Sequence, residues 1–292
     1  MNEKIYISYL LTTYNKKDYI SVSLPYFLSQ LNENEELVIY DGGSSDGSVE
    51  IIGNLVKNKP NVIFRSERDI GEADGLNKCL LTAKGKYLKV ISDDDVYHFP
   101  TIRKACRWMD ENEDCDWIGS NGFSVSFKNN HEKLIFKDEE SFYYKYKKNY
   151  KPFLLTGLSY LIRRKSLSKL GLFNTTYKIV DFEYSLRNLS NRKINFALSL
   201  LPFYVNIVNP DSNSSKYYIS LIREFTKLQK FYQSEPYLMI LLWEIKQKFF
   251  CYSELLRRDK IHHSNFNFQK KYLEYVKTLD TYNCEKSFNV LY

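Results

Sequence analysis

Three adjacent carboxylates, Asp93, Asp94 and Asp95, follow the strand-like run Y-L-K-V-I in K-Y-L-K-V-I-S-D-D-D. Like charges this close in a partly desolvated strand end repel one another, and a divalent cation is the natural remedy. Successive strand residues face opposite ways, so the three do not all reach one ion if the strand persists. One or two carboxylates plus phosphate oxygens is the usual way Mg²⁺ or Mn²⁺ is held at phosphoryl sites. The competing reading is a solvated acidic turn that caps a helix starting near Pro100.

Two further stretches carry polar groups at chemically useful spacing. In D-G-G-S-S-D-G-S (41–48), Asp41 ends a second strand, where an acid can accept hydrogen bonds from a nucleobase or ribose. The same octet also reads as a turn and helix N-cap. In E-A-D-G-L-N-K-C (72–79), Asp74, Asn77 and Lys78 share one helix face, with a surface ion pair as the simpler reading. No G-x-G-x-x-G follows the first strand and no G-x-x-x-x-G-K-[ST] occurs, which argues against dinucleotide and P-loop sites. The histidines have no metal-ligand spacing, and no Ser-His-Asp or Cys-His constellation stands out.

The elements that must position these groups follow from hydrophobic periodicity. Strands are predicted over 5–12, 36–40, 61–65 and 87–91, alternating with helices over 18–31, 48–57 and 72–84. Such alternation predicts βαβ units around a mostly parallel α/β sheet, with ligands beyond the carboxyl ends of the strands. The loops T-T-Y-N (12–15), 41–48, S-E-R-D (66–69) and S-D-D-D (92–95) are therefore expected to meet at one edge. Beyond Asp116 the pattern loosens into a strand-like W-I-G-S-N-G-F-S-V, a Lys- and Tyr-rich stretch over 141–151, and a helix ending near Gly171. A further helix is predicted within 178–187, with acids in its first turn. Turn chemistry over 209–215 divides an α/β domain (1–208) from a helical extension (209–292).

The 292 residues suffice for a sizeable core. Five scattered cysteines suggest a reducing compartment, and the first strand begins almost at once, so a cytoplasmic protein without a leader is expected. The longest apolar run, 237–243, falls far short of the ~20 residues that cross a bilayer. The net charge of +7 is spread rather than blocked, so nucleic acid is not indicated; an anionic small substrate or anionic membrane surface fits.

Taken in order, T-T-Y-N, D-G-G-S-S-D-G-S, S-E-R-D-I-G-E-A-D-G-L-N-K-C and S-D-D-D resemble the motifs of the inverting family 2 glycosyltransferases with the GT-A fold. K-L-G-L-F-N-T-T-Y-K-I-V-D-F-E-Y-S-L-R, from Lys169 to Arg187, is similar to a further segment of that family. The resemblance spans roughly residues 4–205, leaving the C-terminal third outside it. It implies transfer of a sugar, with a UDP-sugar as the expected donor, to a hydroxyl of a glycan or lipid-linked glycan in cell-surface polysaccharide synthesis.

By resemblance, Thr12, Tyr14 and Asp41 line the base pocket, Glu67 and Asp74 lie beside base or ribose, and Lys78 orders that pocket or approaches the phosphates. Asp93 contacts the ribose and Asp94 ligates Mn²⁺ or Mg²⁺. Many members have Asp or Asn where this chain has Ser92, which keeps Asp95 as a rival ligand. Asp181, with Glu183 as second choice, is the general base. Close relatives carry a His in the strand before the base, where this chain reads L-L-T-G-L-S-Y.

Two other readings compete. A nucleotidyltransferase making sugar nucleotides usually opens with a Gly-rich basic loop, which T-T-Y-N-K-K-D lacks. A non-catalytic nucleotide- or carbohydrate-binding protein on the same scaffold is the other. In the C-terminal third, Trp243, Phe249, Phe250 and Tyr252 interleave with Lys246, Lys248, Arg257 and Arg258. This stripe reads as core packed against the catalytic domain or a homodimer seam, with peripheral membrane contact as the alternative. Lys145, Lys147, Lys148 and Lys151 among tyrosines read as an acceptor-groove flank or a solvated loop.

Overall fold

The computed structural model describes residues 5–128, 131–207, 218–234, 236–242, 245–246 and 268–292. The first half alternates strands and helices in the predicted order: β1 (Ile7–Thr13), α1 (Lys17–Gln30), β2 (Glu35–Asp41), α2 (Ser48–Val56), β3 (Val62–Ser66), α3 (Glu72–Thr82) and β4 (Tyr87–Ile91). Each run of apolar residues buries against the next layer. Ile7, Tyr9 and Leu11 face one core with α1, whereas Leu10, Val38 and Val90 face the other with α3. This two-sided burial is what parallel strands covered by helices require.

The chain continues through β5 (Val96–Tyr97), α4 (Phe99–Glu111), β6 (Trp117–Ser120), β7 (Gly122–Lys128), β8 (His131–Lys137) and α5 (Glu140–Asn149). Next come β9 (Leu161–Arg163), α6 (Leu167–Leu170), α7 (Val180–Ser190), β10 (Phe196–Ser199) and β11 (Tyr204–Asn206). The last elements are α8 (Tyr218–Phe231), α9 (Phe268–Cys284) and β12 (Val290–Leu291). The main sheet runs β12-β10-β6-β9-β4-β1-β2-β3, and a second sheet runs β5-β11-β7-β8. Strands β1 to β4 are mutually parallel, and β9 is antiparallel to both of its neighbours.

Register fixes the site edge. Thr13 pairs with Asp41, and Asp41 with Ser66, so three strand ends carry polar residues in one row. The stretch read as one strand over 117–125 breaks at Asn121, where the chain passes from the main sheet to the second. Asn121 Nδ2 donates to the Leu200 carbonyl while its Oδ1 accepts from Glu139 N, so one side chain fixes the crossing.

The Lys- and Tyr-rich stretch is helix α5, with Tyr143 and Tyr146 buried against Phe153 and Phe196 and the lysines outward. Helix α9 lays Phe268, Tyr272, Tyr275 and Leu279 into the same core as α1, with Tyr272 5.7 Å from the Tyr26 ring. Strand β12 then pairs Leu291 with Leu198 and so extends the main sheet. The turn expected at 209–215 and the stripe from Trp243 to Arg258, apart from Lys246, lie outside the described residues.

Candidate active site at the carboxyl edge of the sheet

The expected meeting of four loops is observed through specific bonds. Thr13 Oγ1 donates to Asp93 Oδ2 at 2.6 Å, joining the first and fourth loops. Asn15 N donates to Ser44 Oγ (2.7 Å) and Asn15 Oδ1 accepts from Ser45 N (2.9 Å), joining the first and second. Ser66 Oγ donates to Asp41 Oδ2 at 2.7 Å, joining the second and third. Thr12 and Thr13 point to opposite faces, as strand alternation demands. Thr13 therefore reaches the acids, whereas Thr12 meets α3, where a Cβ on Gly75 would lie 2.2 Å from its Oγ1.

Asp41 is buried and its carboxylate is fully engaged. It accepts from Gly43 N (3.0 Å), Ser44 N (2.8 Å), Ser66 Oγ and Ser44 Oγ. Asp46 accepts from Ser48 N and Oγ and from Lys17 N. Burial works to raise its carboxyl, but the Ser48 and backbone donors outweigh that and hold it below the usual range. Tyr14, 58% exposed beside this loop, presents an open aromatic face.

On α3 the expected Asp74–Lys78 ion pair forms at 3.3 Å, and Glu67 joins it, 3.1 Å from Lys78 Nζ. Lys78 also donates to the Arg68 carbonyl, so it ties the third loop to the helix. Asn77 faces elsewhere: it exchanges two hydrogen bonds with the Phe173 backbone. Asp69, which the sequence did not single out, lies against Gly42 so closely that a Cβ there would sit 2.8 Å from its Oδ2. Burial raises its carboxyl.

The three consecutive acids diverge. Asp93 takes Thr13; Asp94 Oδ2 lies 3.3 Å from Lys16 Nζ; Asp95 accepts from Ser92 Oγ, Ile207 N and Asn206 Nδ2. Burial and the neighbouring Asp94 charge push the Asp93 carboxyl well above the usual carboxylate range. Burial does the same to Asp95. Among the described residues no group of three or more His, Cys, Asp and Glu side chains converges as a preformed metal cage. Asp94 nonetheless fits a hard divalent cation, being a nearly buried carboxylate beside the buried Asp93 and Asp95 with Lys16 as its cationic neighbour.

Asp181 stands half-buried in the first turn of α7. Its Oδ2 accepts from Gly157 N (3.1 Å) and its Oδ1 from Phe182 N (2.9 Å), while burial raises its carboxyl despite these donors. Glu183 is buried in an ion pair with Arg187 at 2.9 Å. Sequence reading passed over Thr13, Lys16, Ser44, Ser66 and Asp69. The T-T pair and the hydroxyls of 41–48 were visible, but only register shows which of them face the acids.

A mostly parallel α/β sheet flanked by helices, with a hydroxyl-, glycine- and acid-rich carboxyl edge, is the GT-A arrangement. The model of glycosyl transferase family 2 matches residues 8–171, and the chain belongs to that family. It is 25% identical over 196 residues to an uncharacterized glycosyltransferase of Methanocaldococcus jannaschii, covering 65% of this chain and 66% of that one. It is 30% identical over 104 residues to the Escherichia coli UDP-Glc:alpha-D-GlcNAc-diphosphoundecaprenol beta-1,3-glucosyltransferase WfaP, covering 36% of this chain and 41% of that one. The chain thus spans less than two thirds of the length of either relative. Its fold aligns with the mannosyltransferase PcManGT of Pyrobaculum calidifontis, solved with GDP-Man and Mn²⁺, at a TM-score of 0.58 and 15% identity, covering 98% of this chain and 77% of that one.

Proposed function

We propose that this chain transfers a sugar from a nucleoside-diphosphate sugar, with UDP as the nucleotide, to a hydroxyl of a glycan or lipid-linked glycan in cell-surface polysaccharide synthesis. The observation that carries this reading is the chain of bonds joining four loops at one sheet edge, with Thr13 held on the buried Asp93 and Ser66 on Asp41. The donor and acceptor named for WfaP support the choice of UDP and of a lipid-linked acceptor.

In this reading Tyr14 stacks on the base, Thr12 and Asp41 shape its pocket, and Glu67, Asp74 and Lys78 hold the loop beside base and ribose. Asp93 addresses the ribose. Asp94 is preferred over Asp95 as the ligand of Mn²⁺ or Mg²⁺, because both oxygens of Asp95 already accept hydrogen bonds. The bound cation would neutralise charge developing on the departing diphosphate.

Asp181 removes the acceptor proton as the hydroxyl oxygen bonds to the anomeric carbon. The bond from that carbon to the phosphate oxygen breaks, and its electron pair leaves with the nucleoside diphosphate. Attack opposite the leaving group inverts the anomeric centre. Glu183 is the weaker candidate for the base because its carboxylate is already paired with Arg187.

A thermal-shift panel of nucleoside diphosphates and nucleotide sugars, with and without Mn²⁺, tests the reading, since a ligand of the native state raises apparent stability. UDP with Mn²⁺ is expected to stabilise the protein, and Asp94→Ala to remove the Mn²⁺ dependence. Asp181→Asn is expected to keep the UDP shift yet lower sugar transfer or slow nucleotide-sugar cleavage by about 100-fold or more. No shift with any nucleotide would overturn the assignment, and binding without any cleavage would favour a non-catalytic binding protein.

A further inference from the structure

Lys89 lies at the middle of β4 and is fully buried. Its Nζ donates to the Val90 carbonyl at 2.8 Å and to the Leu158 carbonyl at 2.6 Å, and sits 5.1 Å and 5.8 Å from the Tyr97 and Phe203 rings. Among the described residues no carboxylate pairs with it. Burial drives its amine far below the usual lysine range. An amine placed in a core at that expense is there for what it donates to, since Met would fill the same space without desolvation cost.

Its two acceptors belong to different parts of the site. Val90 is on the strand that runs into Asp93 and Asp94. Leu158 is the middle residue of the 3₁₀ turn Gly157–Ser159, whose Gly157 N–H holds Asp181 Oδ2 and whose Leu158 N–H bonds the preceding Thr156 hydroxyl. Lys89 is thus the cross-brace between the strand that delivers the donor-side acids and the turn that orients the acceptor-side acid.

We propose that Lys89 is a positioning residue: by bonding Leu158 O from β4, it fixes the Gly157 turn and so the orientation of the Asp181 carboxylate relative to the donor site. This rests on Asp181 being the base. Misplacement of a reacting group by about 1 Å can lower a rate by ~100-fold, so a brace one residue removed from the base bears directly on rate.

The test compares wild type with Lys89→Met, which keeps the stem and removes both donors. Hydrogen exchange is followed at Ser159 and Tyr160, whose amides close the turn onto Thr156 O and Gly157 O. UDP affinity is measured with Mn²⁺, together with the pH dependence of UDP-glucose and UDP-N-acetylglucosamine cleavage. Expected are exchange at those two amides faster by about tenfold with β1 and β2 unchanged, and UDP affinity within about twofold. Cleavage is expected to fall by about tenfold, with its acid limb displaced. Wild-type exchange in the turn overturns the proposal. So does uniformly faster exchange across the sheet with wild-type cleavage and acid limb, the signature of a core-packing residue only.

Should Lys89→Met not fold, Lys89→Gln, with a donor on a shorter stem, is held to the same outcomes. Asp181→Asn separates the two ideas. If it retains cleavage, the assignment of the base fails; if it abolishes cleavage while Lys89→Met matches wild type in turn exchange, rate and acid limb, only the role of Lys89 falls.

Discussion

Thr13 Oγ1 donates to Asp93 Oδ2 at 2.6 Å, bridging residues 80 apart in the chain where two adjacent parallel strands, β1 and β4, end. The bond partly offsets the burial and the Asp94 charge that push the Asp93 proton on. Thr13→Val keeps the branched shape and deletes the donor, leaving a buried carboxylate a partner short. Loss of a hydrogen bond to a charged group costs about 1.5–3 kcal/mol. Thermal melting at pH 7.5 should show that loss, with weaker UDP binding, whereas Thr12→Val should leave Asp93 untouched.

The pH dependence of transfer should report Asp181. A base works only when ionised, and burial holds this carboxyl above its ordinary value of about 3.9. The rate should therefore rise with pH through a limb displaced upward from that value. Stability has the opposite sign: the folded state holds this proton more tightly than the unfolded chain, so Asp181's contribution to stability falls as pH climbs from the ordinary range to the folded value. A rate profile flat between pH 4 and 8 would remove Asp181 from the role.

Gly75 and Gly53 make a matched pair on successive helices, α3 and α2. A Cβ at Gly75 would lie 2.2 Å from Thr12 Oγ1 and 3.3 Å from Asp69 Oδ2, so α3 must shift away from β1. Gly75→Ala is expected to destabilise by about 1–3 kcal/mol and to weaken nucleotide binding. At Gly53, inside α2, nothing lies within 4 Å of the added carbon, and Gly53→Ala should stabilise by ~0.5–1 kcal/mol with binding unchanged. Denaturant melts of both variants check the contrast.

Arg187 pairs with the buried Glu183 and also donates to the Leu170 and Leu172 carbonyls. Arg187→Met strands a buried carboxylate, which typically costs about 3–5 kcal/mol. The protein should unfold earlier in urea, while cleavage per folded molecule stays close to wild type. Retained stability would show that Glu183 is not an obligate partner and reopen it as a catalytic acid.

Much of the fold was legible because its code is local. Apolar runs, polar turn residues at each strand end and amphipathic spacing in between mark β1 to β4 and α1 to α3 within the chain itself, and the structure places their ends within two residues of expectation. The same local code marks the loops that meet at the edge, because parallel βαβ units send every strand's carboxyl end the same way.

Tertiary structure decided what depends on partners far along the chain. Three identical aspartates in a row carry no sign of difference, yet Thr13, Lys16 and Ile207 draw them three ways. Thr12 and Thr13 differ only in the face that register assigns. Asp181 and Glu183 both look like first-turn acids until Arg187 claims one of them. Lys89 reads as an ordinary polar residue in a strand, and only the turn at Leu158, 69 residues on, shows that its amine is buried and bonded across the site. Periodicity says which way a residue faces; it cannot say what it will find there.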